Sequence, residues 1–194
     1  PSSRFQFSAT PNYLRDITAR QWVMTVDSGG SAATYNKRYV FGQIDQSTFL
    51  MDLRANYTIG PDLTLELWGE PFAASGHYYG LGELPRPRTF ALRRYGTDGT
   101  TIVRDSTGDY TVTDGPSHTV TIPNPDFHFL SFRSNAVLRW EWRPGSTLYV
   151  VWAQDRGGSQ AQVRAVGFRD LLDSFGARGD NFFAVKVSYW IPAK

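Results

Sequence analysis

Between Phe49 and Leu67 the sequence alternates apolar and polar side chains with a period of two, which constrains the fold more than any other feature. The apolar positions before the break are Phe49, Met51, Leu53, Ala55, Tyr57 and Ile59. Gly60-Pro61-Asp62 interrupts the run, after which the apolar positions are Leu63, Leu65 and Leu67. Successive side chains of a strand point to opposite faces. The pattern therefore predicts an antiparallel hairpin with a tight turn at Pro61, with these residues on one face and Asp52, Arg54, Asn56 and Glu66 on the other.

A second hairpin of the same design is predicted between Ser131 and Asp155. Its first strand places one apolar set on a single face: Ala136, Leu138, Trp140 and Trp142. Pro144-Gly145-Ser146 forms the turn, and the return strand continues the apolar face with Leu148, Val150 and Trp152. We expect the two tight turns to lie at the same end of the sheet, because hairpins of like direction place their short turns together.

The remaining strand signals are a terminal run and three weaker candidates. The terminal run, NFFAVKVSYWI, places Phe183, Val185, Val187, Tyr189 and Ile191 on one side. The weaker candidates are Arg4 to Ala9, Arg20 to Asp27 and Tyr35 to Ile44, which brings the prediction to about eight strands. Residues 74–126 read as a long loop insertion with a β-ribbon at Thr101 to Thr113, and Gly167 to Phe175 has the spacing of a short helix.

The composition combines 15% aromatic with 20% charged residues. Such a mixture fits a sheet with one apolar and one polar face, in a membrane barrel or in an aromatic-rich soluble sandwich. No window approaches the roughly 18 apolar residues of a membrane-spanning helix, whereas a barrel strand needs only about 10 residues of alternating character. The charges form no basic patch, so no nucleic-acid partner is predicted. There is no cysteine, which excludes disulfides and thiolate sites.

The short turns and long connections favour an all-β fold, an antiparallel outer-membrane-type β-barrel of about eight strands or part of a larger barrel. In such a barrel the lumen-facing polar candidates are Asp52, Arg54, Glu66, Arg139 and Glu141. The candidates for the membrane interface, where indole and phenol rings collect, are Trp68, Trp140, Trp142, Trp152, Tyr189 and Trp190. A soluble β-sandwich remains the alternative, with the same charged residues facing water.

Three stretches of the chain resemble the C-terminal part of a family of large bacterial proteins of unknown function. They are YVFGQIDQSTFLMDLRANYTIGPDLTLELWGEPF, DFHFLSFRSNAVLRWEWRPGSTLYVVWAQDR and NFFAVKVSYWI. In that family a carbohydrate-binding-like N-terminal module precedes an outer-membrane barrel. The resemblance implies a location in the bacterial outer membrane, a barrel larger than these strands could close, and no assigned activity.

Two features limit what the resemblance implies. Outer-membrane chains usually finish on an aromatic residue of the last strand, whereas this one continues past Trp190-Ile191 into Pro192-Ala193-Lys194. The sugar-binding module lies outside these residues, so nothing about sugars is transferred to any position. An exported protein would also need a signal peptide or a longer N-terminal part before Pro1.

Residues that could support chemistry are few and scattered. The histidines are His77, His118 and His128, and they include no short-spaced ligand pair, so no metal is predicted. A Ser-His nucleophilic site could be formed by His128 and Ser134, which lie near the start of one strand, but no nucleophile motif surrounds Ser134. Glu66 and Glu141 could form the carboxylate pair of a glycoside hydrolase, but glutamates beside arginines are more typical of structural ion pairs. We therefore predict no catalytic residue and no cofactor.

Two functions remain open. The first is a non-enzymatic outer-membrane barrel that acts as a pore, a transport component or a membrane anchor. Its partners would be membrane lipid and either another protein chain or an N-terminal segment, which would cover the sheet edges near Arg4 to Ala9 and Phe182 to Ile191. The alternative is a soluble or surface-attached β-sandwich that binds carbohydrate through exposed aromatic side chains.

Overall fold

A computed structural model of the chain describes residues 4–116 and 118–191, and most of these form β-strands. The strands are β1 (Phe5–Val26), β2 (Arg38–Gly60), β3 (Leu63–Glu83), β4 (Arg93–Arg94), β5 (Thr100–Arg104), β6 (Tyr110–Asp114), β7 (His118–Ile122), β8 (Phe127–Arg143), β9 (Ser146–Ser159) and β10 (Gly179–Ser188). Within the described part, one α-helix, α1 (Phe168–Ser174), precedes β10, and a turn of 3-10 helix spans Ala32–Thr34. The short helix predicted at 167–175 is confirmed. The residues after Ile191, noted in the sequence for their departure from the usual terminus, lie outside the described part.

The strands form two sheets. The larger is seven-stranded, in the order β1-β2-β3-β8-β9-β10 with β4 paired to β3, and the smaller contains β5, β6 and β7. Neighbouring strands such as β8 with β9 and β9 with β10 pair in the antiparallel direction. The predicted all-β, antiparallel class is therefore confirmed. Over the residues that the structure describes, β1 and β10 lie at the two edges of the larger sheet, which does not close into a barrel.

Four of the predicted strands are halves of two longer ones. The candidates at Arg4 to Ala9 and Arg20 to Asp27 belong to the single strand β1, and Tyr35 to Ile44 joins the first hairpin strand in β2. Residues 10–19, between the two halves of β1, contain Pro11 and do not keep a regular alternation, which concealed this continuity. Proline is tolerated there because β1 is an edge strand, where a missing N–H costs no ladder hydrogen bond.

The prediction of a long loop at 74–126 was wrong for much of that segment. β3 extends to Glu83, and the expected ribbon is the β5–β6 pair of a three-stranded sheet that also includes β7. Small residues concealed the end of β3, and their size has a packing reason at Gly76. A Cβ atom at this position would lie 2.5 Å from Cε1 of Phe127, so no larger side chain fits without displacement.

The described residues divide into two compact units. Unit 1 contains residues 4–14, 47–74 and 128–191, and unit 2 contains residues 15–46, 75–116 and 118–127. The buried core of unit 1 consists of Ala73, Leu130, Val166 and Leu171. The buried core of unit 2 consists of Val40, Leu81, Tyr95, Val112 and Ile122.

Helix α1 is fixed in unit 1 by its first turn. Asp170 is buried and accepts hydrogen bonds from the backbone N–H of Gly167 at 2.8 Å and from Arg164 at 2.8 and 2.7 Å. Burial alone would raise the pKa of the Asp170 carboxyl, but these hydrogen bonds hold it below its usual range. A carboxylate in the first turn also complements the positive end of the helix dipole, so Asp170 determines where α1 begins.

Candidate functional site

One face of the unit 1 sheet is apolar across neighbouring strands, and we call it the apolar face. Across β8, β9 and β10 the register forms rows of opposed residues. The first row is Ala136, Trp152 and Phe183, and two further rows follow the same pattern. Those rows are Leu138, Val150 and Val185, and Trp140, Leu148 and Val187. A cavity of about 290 Å³ is lined by residues of both alternating sets, among them Leu53, Leu67, Arg54 and Trp68. In the first hairpin Arg54 and Trp68 both donate to Asp52, which groups these polar-set side chains as the alternation predicts. In the second hairpin the register confirms the predicted alternation.

Much of the apolar face is exposed. On β10 the exposed fractions of Phe183, Val185 and Val187 are 67%, 66% and 61%. The indole of Trp152 stacks on Phe183 with ring centroids 5.8 Å apart and planes within 2°, yet Trp152 is also largely exposed. A contiguous apolar surface of this kind is typical of a protein that contacts a membrane or a partner there.

Helix α1 and the residues beside it cover one part of the apolar face. Phe175 packs on Phe132 with ring centroids 4.4 Å apart, and Leu171 is buried among core residues of the strands. Phe49 and Met51 pack against the same core cluster. The helix therefore covers the region around Phe49 and Phe132 and leaves the β10 rows exposed.

The opposite face of the unit 1 sheet is polar and holds paired charges. Arg54 donates two hydrogen bonds to Asp52, at 2.8 and 3.2 Å, and Arg139 donates one to Glu141 at 2.9 Å. Glu66 lines a hollow of about 260 Å³ with Arg54, Asn56 and Asn135, and Leu67, Trp68 and Val137 complete its lining. The five polar candidates thus share this face, where two i, i+2 ion pairs neutralise most of their charge.

Trp68, one of the membrane-interface candidates, lies beside Asp52 on the polar face. Its indole N–H donates to Asp52 at 2.9 Å. The alternation of β3 already placed Trp68 opposite Leu67, so this position follows from the strand period. The ring completes the hydrogen bonding of Asp52 rather than extending the apolar face.

The two tight turns lie at the same end of the sheet, as predicted. The backbone N–H of Glu141, near the second turn, donates to the carbonyl of Asp62 in the first turn at 2.8 Å. Aromatic side chains collect at this end, and we call them the aromatic rim: Phe5, Tyr57, Trp140, Trp142, Tyr189 and Trp190.

Contacts within the aromatic rim are direct. Phe5 and Tyr57 are 6.3 Å apart between ring centroids, and Trp140 and Trp142 are also 6.3 Å apart. Trp190 is anchored by its backbone N–H, which donates to Ser146 Oγ at 3.1 Å. Of the interface candidates, Trp152 lies away from the rim, where its indole N–H donates to Asn181 at 3.1 Å.

Unit 2 contains a buried arginine–carboxylate cluster that the sequence did not predict. Arg38 donates to Glu83 at 3.0 Å and to Asp114 at 2.8 Å, and Arg93 donates to both carboxylates as well. Tyr95 adds a hydrogen bond from its hydroxyl to Glu83 at 3.1 Å. The partners of Arg38 are 45 and 76 residues away in sequence, so no local pattern could have revealed the cluster.

The cluster changes the acidity of two of its members. Hydrogen bonds from Arg93, helped by Arg38 and opposed by partial burial, lower the pKa of Asp114 to about 2. Burial and the neighbouring Glu83 carboxylate raise the pKa of the Tyr95 hydroxyl. The cluster has the properties of a structural ion-pair network, since its buried charges are paired with one another.

The structure does not bring the histidines together. His77 Nδ1 lies 2.9 Å from Asp126, whereas His128 is buried with Nδ1 2.7 Å from the carbonyl of Gln162 and Nε2 3.2 Å from Asp170. Ser134, once considered beside His128, donates instead to Gln154 at 3.1 Å. Among the described residues no group of three or more histidine, aspartate or glutamate side chains could hold a metal ion.

One family model matches nearly the whole chain. The model of a family described as "Domain of unknown function (DUF5916)" matches residues 2–193. No curated protein and no solved structure matches the chain. None of the helices in the described part of the chain combines the length and the apolar character needed to cross a membrane.

Proposed function

The chain belongs to the DUF5916 family, and we propose that within this family it forms part of the wall of a bacterial outer-membrane β-barrel. The role is non-enzymatic: a pore, a transport component or a membrane anchor. The observation that supports this most directly is the division of unit 1 into an exposed apolar face and a polar face with paired charges. Outer-membrane barrels have the same division between lipid and lumen.

The alternating pattern of β2 has the length of a barrel strand. Its apolar positions run from Phe49 to Ile59, about 33 Å at a rise of about 3.3 Å per residue, and helix α1 covers the end of this run at Phe49 and Met51. A strand tilt of about 40° reduces this to about 25 Å along the membrane normal, the usual height of the lipid-facing band. The alternation therefore persists over the length that a membrane requires.

The polar face would line the lumen. Asp52 with Arg54, and Arg139 with Glu141, pair within their own strands, which reduces the cost of placing charges in a confined interior. The aromatic rim would lie at the membrane surface, because rings with an apolar body and a polar N–H or O–H favour that zone. In bacterial barrels the short turns face the periplasm, and we assign the turn end of unit 1 to that side.

The free edges of the sheet imply a partner. An unsatisfied amide in lipid costs several kcal/mol, and both β1 and β10 have one unpaired side in the described part of the chain. We propose that another protein chain, or a further segment of the same protein, pairs with these edges and completes the barrel. A soluble sandwich, the alternative, would instead need a second layer over the whole apolar face.

Labelling at two adjacent positions tests the proposal. The chain has no cysteine, so Val185→Cys and Lys186→Cys each create a single site for an environment-sensitive fluorophore. Val185 is opposite Val150 on the apolar face, and Lys186 is opposite Tyr149 on the polar face. In lipid vesicles we expect the label at 185 to shift to shorter wavelength and to be quenched by a nitroxide on the lipid acyl chain.

The label at 186 is the matched control, because its strand position and exposure are similar but its face is opposite. It should keep the emission of a hydrated fluorophore and escape the lipid quencher. Equal emission at both positions, with no quenching from lipid, would contradict the membrane proposal. A shift at 185 without lipid quenching would also contradict it and would indicate a protein layer over the apolar face.

A further inference from the structure

We propose that unit 2 binds the pyranose ring of a neutral saccharide in a cavity between β3 and the small sheet. The cavity has a volume of about 330 Å³ and is lined by His77, Tyr78, Tyr79, Arg104 and Tyr110. Its size is within the usual range for small-ligand sites. The proposal concerns unit 2 alone and does not depend on what the apolar face of unit 1 contacts.

A buried carboxylate organises the polar side of the cavity. Asp126 has a side chain only 3% exposed, and it accepts hydrogen bonds from His77 Nδ1 at 2.9 Å and from Arg104 at 2.9 Å. It also accepts one from the backbone N–H of Tyr78 at 2.6 Å. A carboxylate oxygen accepts, so Nδ1 of His77 is the donor in this contact, which leaves Nε2 of the ring for a ligand hydroxyl.

The charge balance favours a neutral ligand. Arg104 provides the cationic side chain of the cavity, and its charge is compensated by Asp126 through a direct ion pair. An anion would therefore meet little net positive charge. A wholly apolar ligand is equally unsuited, because it would leave the imidazole nitrogen and the tyrosine hydroxyls without partners.

Aromatic rings in the cavity would contact the apolar faces of the sugar. His77 and Tyr79 stack with planes within 21° and centroids 6.1 Å apart, and Arg104 lies over the Tyr110 ring at 5.2 Å. Partial burial, opposed by Arg104, raises the pKa of the Tyr110 hydroxyl, so this group remains a donor at neutral pH. Aromatic faces beside donors and acceptors match a pyranose, which has apolar C–H faces and a ring of hydroxyls.

Saturation-transfer NMR and calorimetry on the full chain test the site with three probes: the methyl β-glycosides of glucose, galactose and N-acetylglucosamine. Any detergent used must lack a sugar headgroup. We expect at least one probe to bind, and Tyr79→Ala to weaken it about fivefold through loss of the ring face. Tyr57→Ala is the matched control, because Tyr57 is 45% exposed and Tyr79 39%, and Tyr57 belongs to unit 1.

A second variant tests the charge argument. Asp126→Asn leaves Arg104 uncompensated, so we expect it to favour methyl β-glucuronide over the neutral glycoside, whereas the unmodified chain favours the neutral one. Absence of binding by all three probes would overturn the proposal. It would also be overturned by equal affinities of the Tyr79→Ala and Tyr57→Ala variants, or by tighter binding of the glucuronide to the unmodified chain.

Discussion

At the scale of single residues, Arg38 has the strongest consequence for stability. Its side chain is 2% exposed and is paired with Glu83 and Asp114. Arg38→Met leaves both carboxylates with fewer partners, and we expect it to lower the free energy of unfolding by about 3 kcal/mol, as when one member of a buried ion pair is removed. Chemical denaturation of the variant measures the effect.

The neighbouring residue offers a matched control for this substitution. Lys37 forms a surface ion pair with Asp27 at 2.8 Å, with both side chains exposed. Lys37→Met should therefore change the free energy of unfolding by less than about 1 kcal/mol. Equal effects of the two substitutions would mean that the arginine–carboxylate cluster does not stabilise unit 2.

Asp114 should make the stability of unit 2 depend on pH in the acid range. Its pKa is lowered from 3.8 to about 2 in the folded chain. A carboxyl with a depressed folded pKa stabilises the fold above its unfolded pKa, and this contribution is lost as the pH falls from about 3.8 through about 2. Denaturation midpoints between pH 5 and pH 2 should fall more steeply for the original chain than for Asp114→Asn. Parallel profiles for the two proteins would contradict this expectation.

At the scale of elements, helix α1 depends on one buried side chain. Leu171 is 1% exposed and Leu172 is 54% exposed, although both lie in the middle of α1. Leu171→Ala removes core volume and should lower the free energy of unfolding by about 3 kcal/mol. Leu172→Ala, the matched control, should cost less than about 1 kcal/mol in a denaturation experiment in detergent. Similar losses in both variants would show that the exposed side of α1 is covered in solution.

Some elements could be predicted from the sequence, and others could not because they depend on contacts between distant residues. Both hairpins were predictable because alternation and turn residues are local, and the face of Leu53 or Trp152 follows from counting along a strand. The end of β3 was missed because close packing there selects small residues such as Gly76, which weaken the alternation. The unit 2 cavity was missed because its lining comes mainly from β3, β5 and β6, and Asp126, which bonds to Arg104, comes from the segment before β8, so these residues meet only after folding.

At the scale of the whole molecule, the two edges of the larger sheet distinguish an isolated chain from an assembled one. In the described residues β10 pairs only with β9, so its outward amides have no strand partner. Hydrogen–deuterium exchange of the isolated chain should show fast exchange at the outward amides of β10 and slow exchange in β8, which has strand neighbours on both sides.

The same measurement on protein extracted in a mild detergent from the cells that make it provides the comparison. If the edges are covered as proposed, the outward amides of β10 should become protected while β8 changes little. Fast exchange at β10 in the native preparation would show that this edge stays free and would contradict the proposed partner. Slow exchange in the isolated chain would indicate that copies of the chain pair with each other.

The contacts of Arg143 at the turn end give the chain a mechanical property. Its guanidinium lies 4.0 Å from the centroid of the Tyr189 ring and donates to Ser146 Oγ at 3.2 Å and to the carbonyl of Trp190 at 3.2 Å. A force applied to the C-terminal end of β10 would act on these contacts of Arg143 before it reached any backbone hydrogen bond between β10 and β9. Once these contacts and the hydrogen bond from Trp190 N–H to Ser146 Oγ break, β10 separates from β9 one residue pair at a time, so the first resistance to pulling comes from Arg143 and Ser146 at the second turn.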